Sequence, residues 1–271
     1  MTEVSLVLPA YNEAERLKDT VRQVADALNK IVSSFEIIIA EDGSTDGTDK
    51  IAEELAKVHP YVKHLHSKER LGRGKALNRA FKSSKGEILA YIDVDLATDL
   101  KHFEELINSI REEGYDFSTG SRMLKESDVK RSFTRLIASK GFNFMTRLLL
   151  KSEIKDHQCG FKAFKREPLF DILDEVKDEH WFWDTEILVR AQRRGYKIKE
   201  FPVKWRCGRT TTVDLKRDVI GMGTQIIRLW RELKTLTPHH LGNKFNSSFS
   251  SSSLTFFGTS DISSLSPYST L

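Results

Sequence analysis

The first 120 residues alternate between short apolar runs and longer stretches of helical periodicity. VSLVL (4–8), FEIIIA (35–40), YVKHLH (61–66) and EILAYI (87–92) have the length and composition of strands. Between them lie amphipathic stretches: one that Asn12 can cap, running to about Ile31, then Thr48–Val58 and about Gly74–Ser83. A helix from Asp99 to Glu112 and a strand at YDFSTG (115–120) continue the alternation. Unbroken apolar strands between amphipathic helices predict an α/β fold, a mostly parallel sheet flanked by helices on both faces. Right-handed crossovers then bring the C-terminal ends of the strands, and the loops after them, to one edge.

Beyond residue 120 the pattern changes. SFTRLIASKGFNFMTRLLL (132–150) predicts an amphipathic helix with basic and aromatic residues interleaved. DHQCGFKAF (156–164) alternates with period two, setting Asp156, Gln158, Gly160 and Lys162 on one face and His157, Cys159, Phe161 and Ala163 on the other. A helix from about Thr185 to Arg194, a strand at KIKEFPV and a long helix from about Leu215 to Leu236 follow. The stretch from Asn246 to Leu271 is Ser-rich, aperiodic and free of Lys and Arg, and is expected to be a disordered tail outside the fold. No window reaches the roughly 18 apolar residues of a membrane-spanning helix. The opening MTEVSLVLPAYNE has no basic region followed by an apolar one, so no signal peptide is expected.

Composition narrows this only slightly. With 39% hydrophobic and 30% charged residues the chain is an ordinary globular one, and its 271 residues can bury a sizeable core. A net charge of +4 is too mild to suggest nucleic-acid binding. Two cysteines, Cys159 and Cys207, make neither a disulfide framework nor a zinc site, which fits a reducing compartment.

Acidic residues gather where the strands end. Asn12-Glu13 follows the first strand, Glu41-Asp42 the second, and Asp93-Val94-Asp95 the fourth. A crevice at that edge is the default ligand site of an open α/β sheet. In extended backbone Asp93 and Asp95 point the same way, and paired carboxylates suit Mg²⁺ or Mn²⁺ that completes its shell with water and phosphate. An acidic loop with Asp95 or Asp99 as a helix cap is the simpler alternative. EDGSTDGT (41–48) is a turn in which Asp46 can cap the next helix, while Asp42 can read a ribose or base. LGRGKALNRAF (71–81), with Lys75, partly resembles a phosphate-cradling loop. Arg122 follows the fifth strand, with Arg131 and Arg135 close behind, and Gln158 and Lys162 can join them in holding an anion. In WDTE, Trp183 can stack on a sugar while Asp184 or Glu186 bonds its hydroxyls; Asp184 can equally be an N-cap. The helices at 132–150 and 215–236 combine aliphatic, aromatic and basic residues, as an interfacial or an ordinary core-facing helix does.

Taken in order, LPAYNEAERL, EDGSTDGT, the strand ending in DVD, GSR, DHQCGFKAFKRE and WDTEILVRA resemble the inverting family 2 glycosyltransferases of GT-A fold, over about residues 3–236. Within that family they look like the polyprenyl-phosphate hexose synthases, such as dolichyl-phosphate glucose and mannose synthases. The resemblance implies one GT-A domain over 1–240, with a nucleotide-binding half at 1–120 and an acceptor half at 121–240. It implies that Pro9, Ala10, Tyr11, Glu13, Ala40, Asp42, Lys75 and Val94 hold the nucleotide and that Asp93 and Asp95 bind the metal. Asp95, Arg122 and Asp184 would be catalytic. Arg122, Arg135, Gln158, Lys162, Trp183, Asp184, Glu186, Arg206 and Arg209 would contact sugar or acceptor. Mannose synthases of this type tend to carry a glutamine two residues past the second aspartate, where this chain has Ala97, so UDP-glucose is the first donor and GDP-mannose the second. A Gly-x-Ser-Lys segment is usual at 208–211, where this chain reads GRTT, and Arg206 or Arg209 is the candidate substitute for the lysine. The acceptor implied is a polyprenyl phosphate, met by a peripheral protein at the cytoplasmic face of a membrane. A family 2 enzyme with a soluble glycan acceptor, a nucleotide-sugar-binding module and a receiver-like signalling domain are the other readings, the last opposed by the second half of the chain.

Overall fold

The computed structural model describes residues 2–206 and 215–235. In chain order the elements begin β1 (Val4–Ala10), α1 (Ala14–Leu28), β2 (Phe35–Asp42), α2 (Thr48–Val58), β3 (Val62–Ser67), α3 (Arg73–Ser83) and β4 (Ile88–Ile92). There follow α4 (Phe103–Arg111), β5 (Phe117–Ser121), β6 (Asp128–Lys130), α5 (Phe133–Leu150), β7 (Phe161–Lys165) and α6 (Arg166–Leu173). The last are α7 (Trp183–Arg193), β8 (Ile198–Pro202), β9 (Lys204–Arg206) and α8 (Leu215–Thr235). Seven strands form one sheet in the order β3-β2-β1-β4-β7-β5-β8. All neighbours are parallel except β7, which runs antiparallel to both β4 and β5. The expected mostly parallel, helix-flanked α/β sheet is therefore the architecture observed.

Both faces of the sheet are covered at its centre, which is why β1, β2 and β4 are largely apolar. Leu6, Leu8, Ile37, Ile39, Ala90 and Ile92 meet α1, α2 and α4 on one face. Val7, Ile38, Ala40, Leu89 and Tyr91 meet α3, α6 and α7 on the other. A smaller cluster of Phe142, Leu150, Phe182, Val189, Ile226 and Leu229 joins α5, α7 and α8. The order reverses between β1 and β4, and the crevice outside that switch point is where such sheets hold ligands.

Several local expectations are corrected. Asn12 does not cap α1; it sits at φ 55 and its Oδ1 accepts from Thr45 N at 2.8 Å, tying the β1 loop to the turn after β2. Asp46 does serve helix starts, accepting from Thr48 N at 3.0 Å and from Ala14 N at 3.0 Å. The strand expected at KIKEFPV breaks at Val203, and β9 leaves the main sheet to pair with β6. The period-two run 156–164 becomes strand only from Phe161, so the alternation of Asp156, Gln158 and Gly160 belongs to a loop. Arg209, GRTT and the Ser-rich tail lie outside the described residues.

Candidate active site

The loops after β1, β2, β4 and β5 enclose a cavity of about 360 Å³. Its floor and one side are acidic: Glu13, Asp42, Asp93 and Asp95, with Pro9, Ala10, Tyr11 and Val94. Its far side is basic and aromatic: Arg122, Arg131, Arg135, Phe142, Gln158, Trp181 and Trp205. One cavity thus joins residues from both halves of the chain.

On the acidic side, Asp42 Oδ2 accepts from the N–H groups of Leu71 and Gly72, each at 2.8 Å, which closes the α3 loop over the end of β2. Burial raises the Asp42 pKa against those two bonds. Gly72 has φ +95, and a Cβ there would lie 2.4 Å from His180 Nδ1, so this close approach needs glycine. The Arg70 guanidinium stacks 3.7 Å over the Tyr11 ring, forming a flat wall beside Asp42. Burial raises the Glu13 carboxyl as well; Arg16 opposes it, while Asp95, Asp46 and Asp93 add to it.

β4 ends at Ile92, and Asp93 to Asp95 form a turn that leads to Leu96 at φ 48. Asp93 Oδ1 takes Arg73 Nη2 at 2.8 Å and Asp95 Oδ1 takes Ala97 N at 3.0 Å. Burial raises the Asp95 pKa, and the Asp93 charge adds to it. The second oxygen of each carboxylate accepts no hydrogen bond among the described residues. A Cβ at position 160 would fall 1.8 Å from Asp93 Oδ2, so Gly160 is what leaves this carboxylate its place. Two carboxylates with spare oxygens beside a roomy cavity fit a hard divalent cation that draws its other ligands from water and phosphate.

The basic side is built on a buried fork. Arg122 donates from Nε and Nη2 to Asp156 at 2.7 and 2.8 Å, and its backbone N–H donates to the same carboxylate at 2.8 Å. Burial alone would raise the Asp156 pKa; the Arg122 charge and bonds outweigh it and hold Asp156 far below the carboxylate range. Arg131 differs. Its Nε is buried without a hydrogen-bond partner, and it forms no ion pair with a carboxylate among the described residues. Burial and the nearby Arg122 charge both depress its pKa. A half-buried cation in that condition is relieved by an anion entering the cavity.

Several expected contacts are not made. Trp183 is fully buried, packed against Phe81, Tyr91 and Phe164 with its Nε1 on Asn78, and cannot stack on a sugar. Trp181, two residues earlier, lines the cavity instead. Glu186 is buried in ion pairs with Arg190 and Arg228. Asp184 lies behind Arg73, which donates to it at 2.6 Å, and burial lifts its pKa to about 6 while Arg73 opposes. The helix start it was expected to cap is served by Asp178, whose Oδ1 accepts from Trp183 N at 3.0 Å. Lys162 is buried below the cavity with Nζ on Cys159 O at 2.5 Å, and burial brings its pKa down to about 8. Ala40 sits in the core two residues below Asp42, and Lys75 pairs with Glu179 at 3.0 Å on the surface. Arg206 pairs with Asp128 outside the cavity. The Glu41 carboxylate turns away from the cavity towards His64 and His66.

The family model described as glycosyl transferase family 2 matches residues 5–173, which contain the acidic loops, Arg122 and the Arg73 loop. The chain belongs to glycosyl transferase family 2. Glycosyltransferase AglD of Haloferax volcanii is 50% identical over 233 residues, 85% of this chain, and the chain spans only 37% of AglD. Dolichyl-phosphate beta-glucosyltransferase of Dictyostelium discoideum is 34% identical over 239 residues, covering 83% of this chain and 73% of that protein. Glucosyl-3-phosphoglycerate synthase of Mycobacterium tuberculosis, solved with Mn²⁺, UDP and glucosyl-3-phosphoglycerate, superposes with TM-score 0.63 at 20% identity, over 83% of this chain and 80% of that one. That likeness establishes the GT-A fold.

For a family 2 domain, the residues missed in the sequence are mostly cations. Arg16, Arg70, Arg73 and Trp205 all line the cavity. Arg73 bridges Asp93 and Asp184, so it fixes the acidic turn from below. Its place at the first position of α3, pointing back over the β4 edge, was the available signal.

Proposed function

We propose that this chain transfers a hexose from a nucleoside-diphosphate sugar, UDP-glucose before GDP-mannose, to a polyprenyl phosphate such as dolichyl phosphate. The observation that carries the acceptor class is Arg131, a half-buried cation with a buried, unpartnered Nε and no carboxylate partner among the described residues, across the cavity from the acidic turn. The names of the relatives support the same donor sugar and acceptor. An acceptor phosphate is anionic at neutral pH and attacks without a strong base. That suits a site in which Asp184 and Glu186, the carboxylates a hydroxyl acceptor would have called on, lie buried in ion pairs.

The residues then divide the work. Tyr11, Arg70 and Asp42 form the wall for base and ribose. Mg²⁺ or Mn²⁺, held by Asp93 and Asp95, would supply counter-charge for the leaving diphosphate. Arg122 and Arg131 hold the incoming phosphate, and Asp156 keeps Arg122 aimed. Trp181 closes the sugar side.

The acceptor lies in a membrane, and α5 supplies a surface for one. Arg135, Ser139 and Phe142 face the cavity, while Phe133, Phe144 and Leu148 on the opposite side are exposed at 73%, 64% and 63%. Lys140 and Arg147 flank that apolar stripe and are exposed. That stripe supports peripheral attachment, at the cytoplasmic face, as the proposed mode; no helix among the described residues is long and apolar enough to cross a membrane.

The test is incubation with UDP-glucose, Mg²⁺ or Mn²⁺ and a polyprenyl phosphate in detergent, with GDP-mannose in parallel. Cation-dependent lipid-linked glucose with release of UDP is the expected result. Lipid-linked mannose alone would reassign the donor. Transfer only to a soluble glycan would overturn the acceptor.

A further inference from the structure

Glu41 takes no part in the chemistry proposed above. Alternation along β2 turns Asp42 to the cavity and Glu41 to the other face, and the parallel register with β3 sets His66 beside it. His64, two residues back on β3, shares that face. His66 Nδ1 lies 2.5 Å from Glu41 Oε2 and His64 Nε2 lies 3.7 Å from the same oxygen. One ligand atom from each of the three residues lies within 4.8 Å of the others.

Hydrogen bonding alone does not account for this cluster. The Glu41 side chain is fully buried, and among the described residues it pairs with no Lys or Arg. Its Oε1 accepts from Ser44 N at 2.7 Å, which among the described residues leaves the imidazoles as the only partners of Oε2. A plain His–Glu bond satisfies His66. It leaves His64 Nε2 buried without a hydrogen-bond partner, aimed at a carboxylate too distant to accept from it. Two imidazole nitrogens and one carboxylate oxygen are the donor set of zinc-type cations, softer than the set formed by Asp93 and Asp95. His66 is half exposed, so a solvent ligand can complete the shell.

We infer that Glu41, His64 and His66 form a second divalent-cation site, of the two-histidine, one-carboxylate type suited to Zn²⁺. The site has a route to the cavity. Glu41 holds Ser44, and Ser44 Oγ accepts from Asn12 N at 3.1 Å in the loop that carries Tyr11 and Glu13. A cation here clamps β2 to β3 at the root of the 43–48 turn and steadies that loop.

The experiment is a Co²⁺ titration of metal-free protein with Mg²⁺ in excess, read by visible d–d absorption, followed by displacement with Zn²⁺. The wild type is expected to bind one equivalent of Co²⁺ that Zn²⁺ displaces. His64→Gln/His66→Gln should weaken binding at least about 10-fold, the low end of what losing a supporting partner costs a metal site. Asp95→Asn should leave the titration unchanged. No Co²⁺ bound by the wild type, an unchanged titration in the histidine variant, or loss in Asp95→Asn would each overturn the assignment. If circular dichroism shows the double variant unfolded, His66→Gln alone, altered at a half-exposed ring, provides the same comparison. None of these readouts depends on glycosyl transfer.

Discussion

Trp181 and Trp183 stand two positions apart at the start of α7, one on the cavity wall and one in the core. Their variants should separate accordingly. Trp183→Ala removes a fully buried ring and should cost about 3–5 kcal/mol in urea unfolding. Trp181→Ala should leave stability within about 0.5 kcal/mol and lower kcat/KM for the sugar donor about 10-fold. Equal loss of stability in both would refute the division. From WDTE the expectation is Trp183 turned to a sugar, and the inward turn of that ring was not legible, because it depends on how Asp178 sets the first turn of the helix. The same limit hid Arg73, whose role exists only once β4 and α7 bring Asp93 and Asp184 to its two sides. Asp93 and Asp95 were legible, since a polar pair closing an apolar strand can only sit at the sheet edge. Asp95→Asn keeps the size of that side chain and removes its charge. It should lower kcat by about 10²-fold or more with the unfolding midpoint little changed, and kinetics near the wild type would remove the metal role from Asp95.

Whole elements were easier to read than their joints. β1, β2, β4 and α1 to α3 follow from periodicity, because those strands are buried on both faces and each helix on one. β7 and the loop before it were misread as a single strand, since a period of two in nine residues cannot show where backbone pairing begins. That loop is held to α5 by His157: its Nδ1 meets Asn143 Oδ1 at 2.8 Å and its Nε2 meets Ser152 Oγ at 2.8 Å. Burial lowers the His157 pKa to about 3, against an ordinary 6.5. With the folded value below the unfolded one, the unfolded chain binds more protons between those limits, so stability is lost as pH falls from about 6.5 towards 3. One such group gives a slope of up to about 1.4 kcal/mol per pH unit. His157→Gln should flatten that part of the stability–pH curve by one proton, and an unchanged slope in denaturant titrations would show that the ring is not the source. On the outer side of α5, Phe144→Ser/Leu148→Ser should lower binding to anionic vesicles more than about 10-fold at unchanged Tm, because each exposed side chain can contribute about 1.5–3 kcal/mol when a bilayer covers it. Unchanged vesicle binding would mean that this face serves something other than a membrane.

At the scale of the whole molecule, the cavity is shared. Tyr11, Asp42 and Asp95 come from the first 120 residues, Arg122, Phe142 and Trp181 from the residues after them, and β7 is inserted antiparallel between β4 and β5 where the two meet. Neither half has a finished site, so ligand and fold are coupled through one sheet. A nucleoside diphosphate that binds only the folded chain should therefore raise the stability of the described domain as a unit. At 100 times its Kd the gain is about 2.7 kcal/mol, and for a domain of this size each kcal/mol moves Tm by about 2–4 °C. UDP with Mn²⁺ should accordingly raise Tm by roughly 5–10 °C in a single transition. Chelator should abolish most of the shift, as should Asp93→Asn/Asp95→Asn, because both leave the diphosphate facing bare carboxylates or no cation. A shift that survives both would place the nucleotide on the Tyr11–Arg70 wall alone and detach the diphosphate from the acidic turn. Two transitions, with only one moved by UDP, would show that the halves fold apart and that the cavity between them is assembled late.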